Sequence, residues 1–133
     1  MTRPAFAELC RQVCASKRWE LLPTGVLVHL AEGRHQLVRL ELFDSEWPAR
    51  TDMVRLTTTI GAVEKLSRER LLLALEANTT LDHGALAVES GQLCMTDTLL
   101  LDTIDAEELE AAIDYLSHQA DEYEHAIFGT DQN

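Results

Sequence analysis

Apolar and polar side chains alternate along residues 36–43, where Val38, Leu40 and Leu42 share one side and charged residues lie between them. A period of two residues is typical of a strand with one buried face, and a helix of the same sequence would mix charges into its apolar face. Residues 53–60 repeat the alternation. Two such strands in succession predict an antiparallel sheet that packs on one face and leaves the other open.

Helical periodicity precedes and follows these strands. A first helix is predicted near the N-terminus, where Pro4 suits the first turn. A leucine-rich run over residues 66–77 predicts a second helix. The last helix begins with a capping box of Asp105 and Glu108, and acids cover its polar side. The apolar faces of the first and last helices are Phe6, Leu9, Cys10 and Val13, and Leu109, Ala112, Ile113, Leu116, Ala120 and Tyr123.

Three further strand segments complete the predicted order. Residues 26–30 form a strand before the alternating pair, and two strands flank a hairpin turn at Ser90 and Gly91. The alternation is lost at residues 96–98, which predicts a β-bulge there. The order is α-β-β-β-α-β-β-α. It predicts a single α+β domain over residues 1–133, with a five-stranded antiparallel sheet packed with helices.

The charge balance constrains the partner. The chain has 23 acidic and 11 basic residues and a net charge of −12, with a pI near 4.7. Such a chain repels phosphate, so neither nucleic acid nor an anionic membrane is expected as a partner. A cationic protein fits the charge, as does a purely solubilising role. Three cysteines and the absence of a secretory signal predict a reduced, cytoplasmic protein.

The sequence gives little support for a catalytic site or a metal site. Cys10 and Cys14 lie one turn apart, but no second pair follows at zinc spacing, so packing in the core is the preferred interpretation. His118, Glu122 and His125 lie on one helix without an i, i+4 histidine pair, which favours local ion pairs at the surface. The sequence has neither a nucleophile elbow nor a glycine-rich phosphate loop. We therefore expect no enzyme activity, no metal and no cofactor.

A mixed sheet face is the best candidate for binding. If Val38 and its in-phase neighbours face the helices, four large apolar side chains face the other way, and Trp47 lies on the adjoining loop. An exposed apolar patch is typical of an interface, although another element could cover it. Sheet edges offer a second route for an extended peptide. The predicted partner-binding residues are Leu27, Leu37, Phe43, Trp47 and Met53.

Several segments resemble a known family. They are LEANTTLDHGALAVESGQLCM at 75–95, LDTIDAEEL at 101–109 and HQADEYE at 118–124, together with GRHQLV at 33–38. These segments are similar to the type III secretion chaperone-like superfamily, which contains the class I secretion chaperones and the YbjN-like family. The segment at 120–124 is closer to the YbjN-like proteins. The predicted element order agrees with that fold along nearly the whole chain.

The resemblance implies a non-catalytic homodimer that holds another protein. It implies a dimer built around the second helix and the C-terminal strands, and a client or effector whose N-terminal segment lies extended over apolar patches. Leu72, Leu75, Leu93 and Met95 are the predicted dimer contacts, with a plain core role as the alternative. The main functional alternative is a YbjN-like regulatory or scaffolding protein without a secreted client.

Overall fold

The computed structural model describes residues 1–46 and 50–128. Its helices and strands follow one another in the order α1-β1-β2-β3-β4-α2-β5-β6-α3. The three helices are α1 (Arg3–Lys17), α2 (Arg68–Glu76) and α3 (Ala106–Tyr123). The strands are β1 (Glu20–Leu22), β2 (Gly25–His29), β3 (His35–Ser45), β4 (Thr51–Ala62), β5 (Ala85–Glu89) and β6 (Gln92–Leu100).

The strands form one antiparallel sheet in the spatial order β1-β2-β3-β4-β6-β5. The α+β class and the antiparallel sheet packed with helices confirm the prediction. The sheet has six strands where five were expected. The additional strand is β1, which has only three residues before a turn at Pro23 and Thr24. Three residues are too few to show an alternation of apolar and polar side chains. The segment is recognised as a strand only because it pairs with β2.

The core lies between one face of the sheet and the helices. We call this the inner face, and the opposite side the outer face. On the inner face, Val26, Val38, Val54 and Leu56 are completely buried. The helices supply the buried residues Phe6, Cys10, Val13 and Cys14 from α1, Ala74 from α2, and Leu109, Ala112, Ile113, Leu116 and Ala120 from α3.

Side-chain caps mark the N-terminal ends of α1 and α3, and the cap at Asp105 was expected. The Asp105 side chain accepts a hydrogen bond from the backbone N–H of Glu108 at 2.8 Å, which caps α3. Thr2 caps α1 in the same way through the N–H of Ala5, at 3.1 Å. Pro4 lies in the first turn of α1, where a missing N–H costs nothing. Both caps satisfy backbone donors that the helix itself leaves unpaired.

The predicted bulge lies on a different strand. Residues 96–98 of β6 pair in regular register with β4, so the expectation of a bulge there was wrong. The shift in register occurs instead in β4, where Thr59 pairs with Cys94 and Gly61 with Leu93, leaving Ile60 as the extra residue. A bulge depends on which residues stand opposite on the partner strand, and one strand's sequence does not contain that information.

A π-helical turn, Glu124–Phe128, follows α3 and packs against the end of β4. Farther back on α3, Asp121 joins the helix to the β2–β3 connection. The guanidinium of Arg34 donates to both carboxylate oxygens of Asp121, at 3.0 to 3.3 Å, and to Glu32 at 2.9 Å. These hydrogen bonds tie α3 to one end of the sheet. None of the helices in the described part of the chain has the length and hydropathy needed to span a membrane.

Candidate functional site

The outer face of the sheet brings together four of the five predicted partner-binding residues. Leu27 and Leu37 pair directly across β2 and β3, and Phe43 and Met53 pair across β3 and β4. All four side chains are half-buried, and none belongs to the core cluster. The fifth, Trp47, lies outside the described residues. In the described chain all three α-helices direct their buried side chains into the core on the inner face, so these four residues lie outside that core.

The apolar residues of the outer face form two separate clusters. Leu27 and Leu37 form the first. Phe43, Met53 and Leu100 form the second, since Met53 pairs with both Phe43 and Leu100 across neighbouring strands. Phe43 lies six positions after Leu37 on β3, which is about 20 Å at roughly 3.3 Å per residue. A segment that contacts both clusters must therefore span about 20 Å along β3.

Leu100 was missed by sequence reasoning. Its side chain is 48% exposed and lies beside Met53. The assumed bulge at residues 96–98 broke the alternation that would have assigned Leu100 to this face. An unbroken period of two from Cys94 to Leu100 is the signal that could have found it.

A polar band separates the two clusters. Arg39 on β3 forms an ion pair with Glu89 at 3.1 Å, although β4 and β6 lie between β3 and β5. Arg55 approaches Glu41 at 3.9 Å, and its guanidinium stands 4.2 Å from the centre of the Phe43 ring. That cation–π contact covers part of one aromatic face while leaving the charge accessible to water. The band can therefore offer hydrogen-bond donors to a chain lying between the clusters.

Small side chains lie beneath this band. Thr57 pairs with Arg39 across β3 and β4, and Cys94 belongs to the same outer face on β6. Thr57 is 7% exposed and Cys94 is 2% exposed. Burial and the nearby Glu89 carboxylate raise the pKa of the Cys94 thiol, and the Arg39 guanidinium lowers it. The Arg39–Glu89 pair thus lies close to Cys94 and shields it from solvent.

The second candidate surface is the exposed side of α2. Leu72, Leu73 and Leu75 are 45%, 64% and 43% exposed, whereas α2 buries only Ala74. Three exposed leucines on one nine-residue helix form a patch of the kind that marks an interface. Val88, on the neighbouring edge strand β5, is also half exposed. The structure therefore leaves Leu72 and Leu75 available for the predicted dimer contact and adds Leu73.

Two predicted dimer contacts require correction. Leu93 and Met95 are completely buried and belong to the core. They lie on the inner face of β6, where Met95 pairs with Leu86 and Thr58 and Leu93 with Val88. Neither side chain has exposed surface with which to contact a second copy. The core role that the sequence left open is the correct one, since β6 is an interior strand rather than an edge.

The two edges of the sheet differ in how readily an added peptide strand could pair with them. At the β5 edge, the side-chain amide of Asn78 donates to the carbonyl of Leu86 at 3.1 Å and accepts from the N–H of Leu86 at 2.6 Å. This pair of hydrogen bonds occupies the backbone groups of Leu86 that an added strand would use. The opposite edge, β1, has only three residues. Extended binding along an edge is therefore restricted, and the outer face is the larger surface.

The carboxylate pair Asp44 and Asp52 was not singled out from the sequence. The two residues stand opposite each other at the end of the β3–β4 hairpin. A hydrogen bond with Asp52, aided by one from Arg50, lowers the pKa of Asp44, and the same contact raises the pKa of Asp52. Both side chains are exposed. Water screens such a pair, which limits its use in acid–base chemistry.

Cys10 and Cys14 lie in the core, as the packing interpretation predicted. Cys10 and Cys14 are free thiols, 5% and 4% exposed. Burial, followed by the neighbouring Cys14, raises the pKa of Cys10 to about 11. A protonated thiol is a poor ligand and a poor nucleophile. Across residues 1–46 and 50–128, no group of histidine, cysteine and acidic side chains is arranged to hold a metal ion.

Comparisons with known proteins bear on the fold alone. No protein-family model matches the sequence, and no curated protein matches it. Five chains of solved structures match the fold. One belongs to the structure of the HopA1–SchA chaperone–effector complex, with a TM-score of 0.52 and 11% sequence identity, and the match covers 84% of this chain and 89% of that chain. The α+β architecture described above is therefore similar in fold to a chain of that complex.

Proposed function

We propose that this chain is a non-catalytic chaperone or adaptor that holds an extended segment of a client protein on its outer sheet face. The observation that carries the proposal is the pair of apolar clusters on that face, which stay half-buried outside the core formed with the helices. The likeness of fold to a chain of a chaperone–effector complex supports it. We further propose a cytoplasmic location, in keeping with three free, buried cysteines.

The geometry of the face suggests how a client segment would bind. The two clusters lie about 20 Å apart along β3, so a strand of about six residues would reach from one to the other. Apolar side chains near its ends would contact Leu37 at one cluster and Phe43 at the other. Residues between them would meet Arg39 and Arg55, whose side chains are 43% and 42% exposed.

We also propose that two copies of the chain associate through α2. A nine-residue helix is only about 14 Å long, and a stable interface buries about 800 Å² on each partner. The exposed leucines of α2 therefore need a neighbouring surface, and Val88 on β5 supports one. The revised contact set is Leu72, Leu73, Leu75 and Val88.

A matched pair of variants tests self-association. Leu73→Asp should convert a dimer into a monomer, because a carboxylate in an apolar interface would be desolvated without a partner. Leu21→Asp is the control, since Leu21 is 40% exposed on β1 at the other end of the sheet. Sedimentation equilibrium measures both. Loss of the dimer in both variants, or in neither, would remove α2 from the interface, and a monomeric wild-type chain would end the homodimer proposal.

Client binding is tested with the double substitution Leu37→Asp and Phe43→Asp. Each protein encoded beside this gene is co-expressed with the chain, and complexes are isolated and their protected amides mapped by hydrogen exchange. The double variant should fold and lose the complex, whereas Leu73→Asp should retain the client as a monomeric chaperone. Unchanged capture by the folded double variant contradicts the site. Failure of every neighbouring protein to bind favours the YbjN-like regulatory alternative, which has no secreted client.

A further inference from the structure

Residues 124–128 continue α3 as a π-helical turn that packs against the end of β4. We call the π-helical turn Glu124–Phe128 the C-terminal strap. Its last residue, Phe128, is only 6% exposed although it ends the described part of the chain. The Ile127 carbonyl accepts a hydrogen bond from the guanidinium of Arg70 on α2. The strap is therefore attached at one point to the sheet and at another to α2.

The contact with the sheet depends on Gly61. A Cβ placed on Gly61 would lie 2.6 to 3.0 Å from three atoms of the Phe128 ring, closer than side chains approach one another. The distal end of the ring consequently lies against Gly61 of β4, immediately after the bulge at Ile60. Any side chain at Gly61 would displace the ring, which makes this glycine a specific requirement of the strap.

Incompletely filled space lies on both sides of the strap. A cavity of about 730 Å³ lies between the end of β4, the start of α2 and the strap, with Gly61, Arg70 and Phe128 among its lining residues. A second, apolar groove of about 290 Å³ lies between Leu73 and Ala77 of α2 and Ile127 of the strap. Open space beside an element removes packing contacts that would otherwise hold it. The strap therefore borders two open spaces, one shared with the end of β4 and one shared with α2.

The attachment of α2 elsewhere is slight. It buries only Ala74, and three of its leucines face solvent. By contrast, α3 buries six residues along its length. A helix with few buried contacts opens locally at low free-energy cost while the rest of the fold stays intact. Besides the strap, α2 is held by Leu71, which packs against the core, and by contacts with β5, so the strap is one of a small number of attachments.

We propose that the C-terminal strap is a conformational device that fixes α2 to the end of β4, and that release of Phe128 from Gly61 frees α2 while the sheet remains folded. The strap acts on the helix whose leucines form the self-association surface. Its consequence for dimerisation rests on the proposed function, whereas its effect on α2 does not. A fixed α2 presents Leu72, Leu73 and Leu75 in one geometry, and a freed α2 does not.

Two variants break the same contact from opposite sides. Phe128→Ala removes the ring, and Gly61→Ala fills the space that the ring occupies. His125→Ala is the matched control, because His125 is an exposed residue of the same strap. Amide hydrogen exchange is measured on the full chain for residues 68–76 of α2, and for residues 3–17 and 35–45 as internal references.

Exchange in α2 should rise at least about tenfold in both Phe128→Ala and Gly61→Ala, with the reference segments and the His125→Ala control unchanged. Unchanged exchange in α2 overturns the proposal. A uniform rise across all segments overturns it as well, since that is general destabilisation. A rise in only one of the two variants also contradicts the proposal, because both variants remove the same contact.

The consequence for assembly is measured separately. In sedimentation equilibrium, Phe128→Ala and Gly61→Ala should weaken the dimer, and His125→Ala should not. If the wild-type chain is a monomer, the dimer proposal fails, and the hydrogen-exchange result still decides whether the strap fixes α2. If the chain is a dimer whose affinity is unaffected by both variants, the regulatory consequence fails even where α2 is freed.

Discussion

The two faces of the sheet are built from alternate residues of the same strands, yet they end in different environments. On the inner face Val38, Val54 and Leu56 are completely buried. On the outer face their neighbours Leu37 and Met53 are half-buried and lie outside the core. Both faces carry large apolar side chains, so composition alone does not distinguish them. The difference arises because α1, α2 and α3 all direct their buried side chains to one side.

The contrast teaches where a binding surface can arise in a small α+β protein. Burying apolar surface is favourable at about 25 cal/mol per Å², so an uncovered apolar face is a cost to the isolated chain. The outer face limits this cost by dividing its apolar residues into two clusters with Arg39 and Arg55 between them. Charged residues at the centre interrupt the apolar surface, so no single large patch forms among the described residues.

The largest expected effect tests the inner face. Leu56→Ala should lower the free energy of unfolding by about 2–5 kcal/mol, because a fully buried leucine leaves a cavity when truncated. Leu37→Ala, the matched change on the outer face, should cost about 1 kcal/mol or less. Urea denaturation measures the free energy of unfolding of both variants, provided that the denaturant m-value is the same as in wild type. Equal losses would mean that the outer face is sealed in solution, and client docking on it would no longer be tenable.

A pH experiment sharpens the same comparison through Cys10, which α1 directs into the core. Its pKa is about 11 in the folded chain, raised by burial from 9.0. Below pH 9.0 the thiol is protonated in both states. As pH rises from there towards 11, the unfolded chain releases a proton that the folded chain retains, so stability falls by up to about 3 kcal/mol.

The change is measured as the pH dependence of the free energy of unfolding in wild type and in Cys10→Ala. Below pH 9.0, Cys10→Ala should be less stable than wild type because it loses packing. From pH 9.0 towards 11, its free energy of unfolding should decrease less than that of wild type. Parallel curves would show that the Cys10 thiol titrates alike in the folded and unfolded chains. Water would then reach the core beside α1 more readily than the burial of Cys10 indicates.

The smallest effect concerns Cys94, the buried cysteine of the outer face. Glu89→Gln should increase its rate of labelling by a thiol reagent severalfold. The substitution removes a charge that raises the Cys94 pKa, and it breaks the Arg39–Glu89 ion pair beside it. Cys10 and Cys14 should label at unchanged rates. Glu8→Gln is the control, since Glu8 pairs with Arg11 on the solvent side of α1. Equal labelling in both variants would show that the ion pair does not shield Cys94.

Much of the fold was predictable because its signals are local. The period of two in β2, β3 and β4 placed Leu27, Leu37, Phe43 and Met53 on one face, where the structure has them as two cross-strand pairs. Asp105 caps α3 as its position before an apolar stripe indicated. These features depend on residues a few positions apart, so a single sequence contains them.

Other features escaped because they depend on partners distant in the chain. The bulge at Ile60 is defined by the register of β4 against β6, and its misplacement concealed Leu100. Leu93 and Met95 were assigned to a dimer surface, but β6 inserts between β4 and β5 and becomes an interior strand. Strand order in space does not follow from strand order in sequence.

By itself, the sequence determined the element types, the phase of the long strands and the acidic, α+β character of the chain, since periodicity and charge are local or summed properties. Only the tertiary structure decided which sheet face the helices cover, that α2 keeps its leucines at the surface, and that Phe128 packs on Gly61. Those outcomes are set by packing between segments far apart in the chain, where the favourable free energy comes from filling shared space.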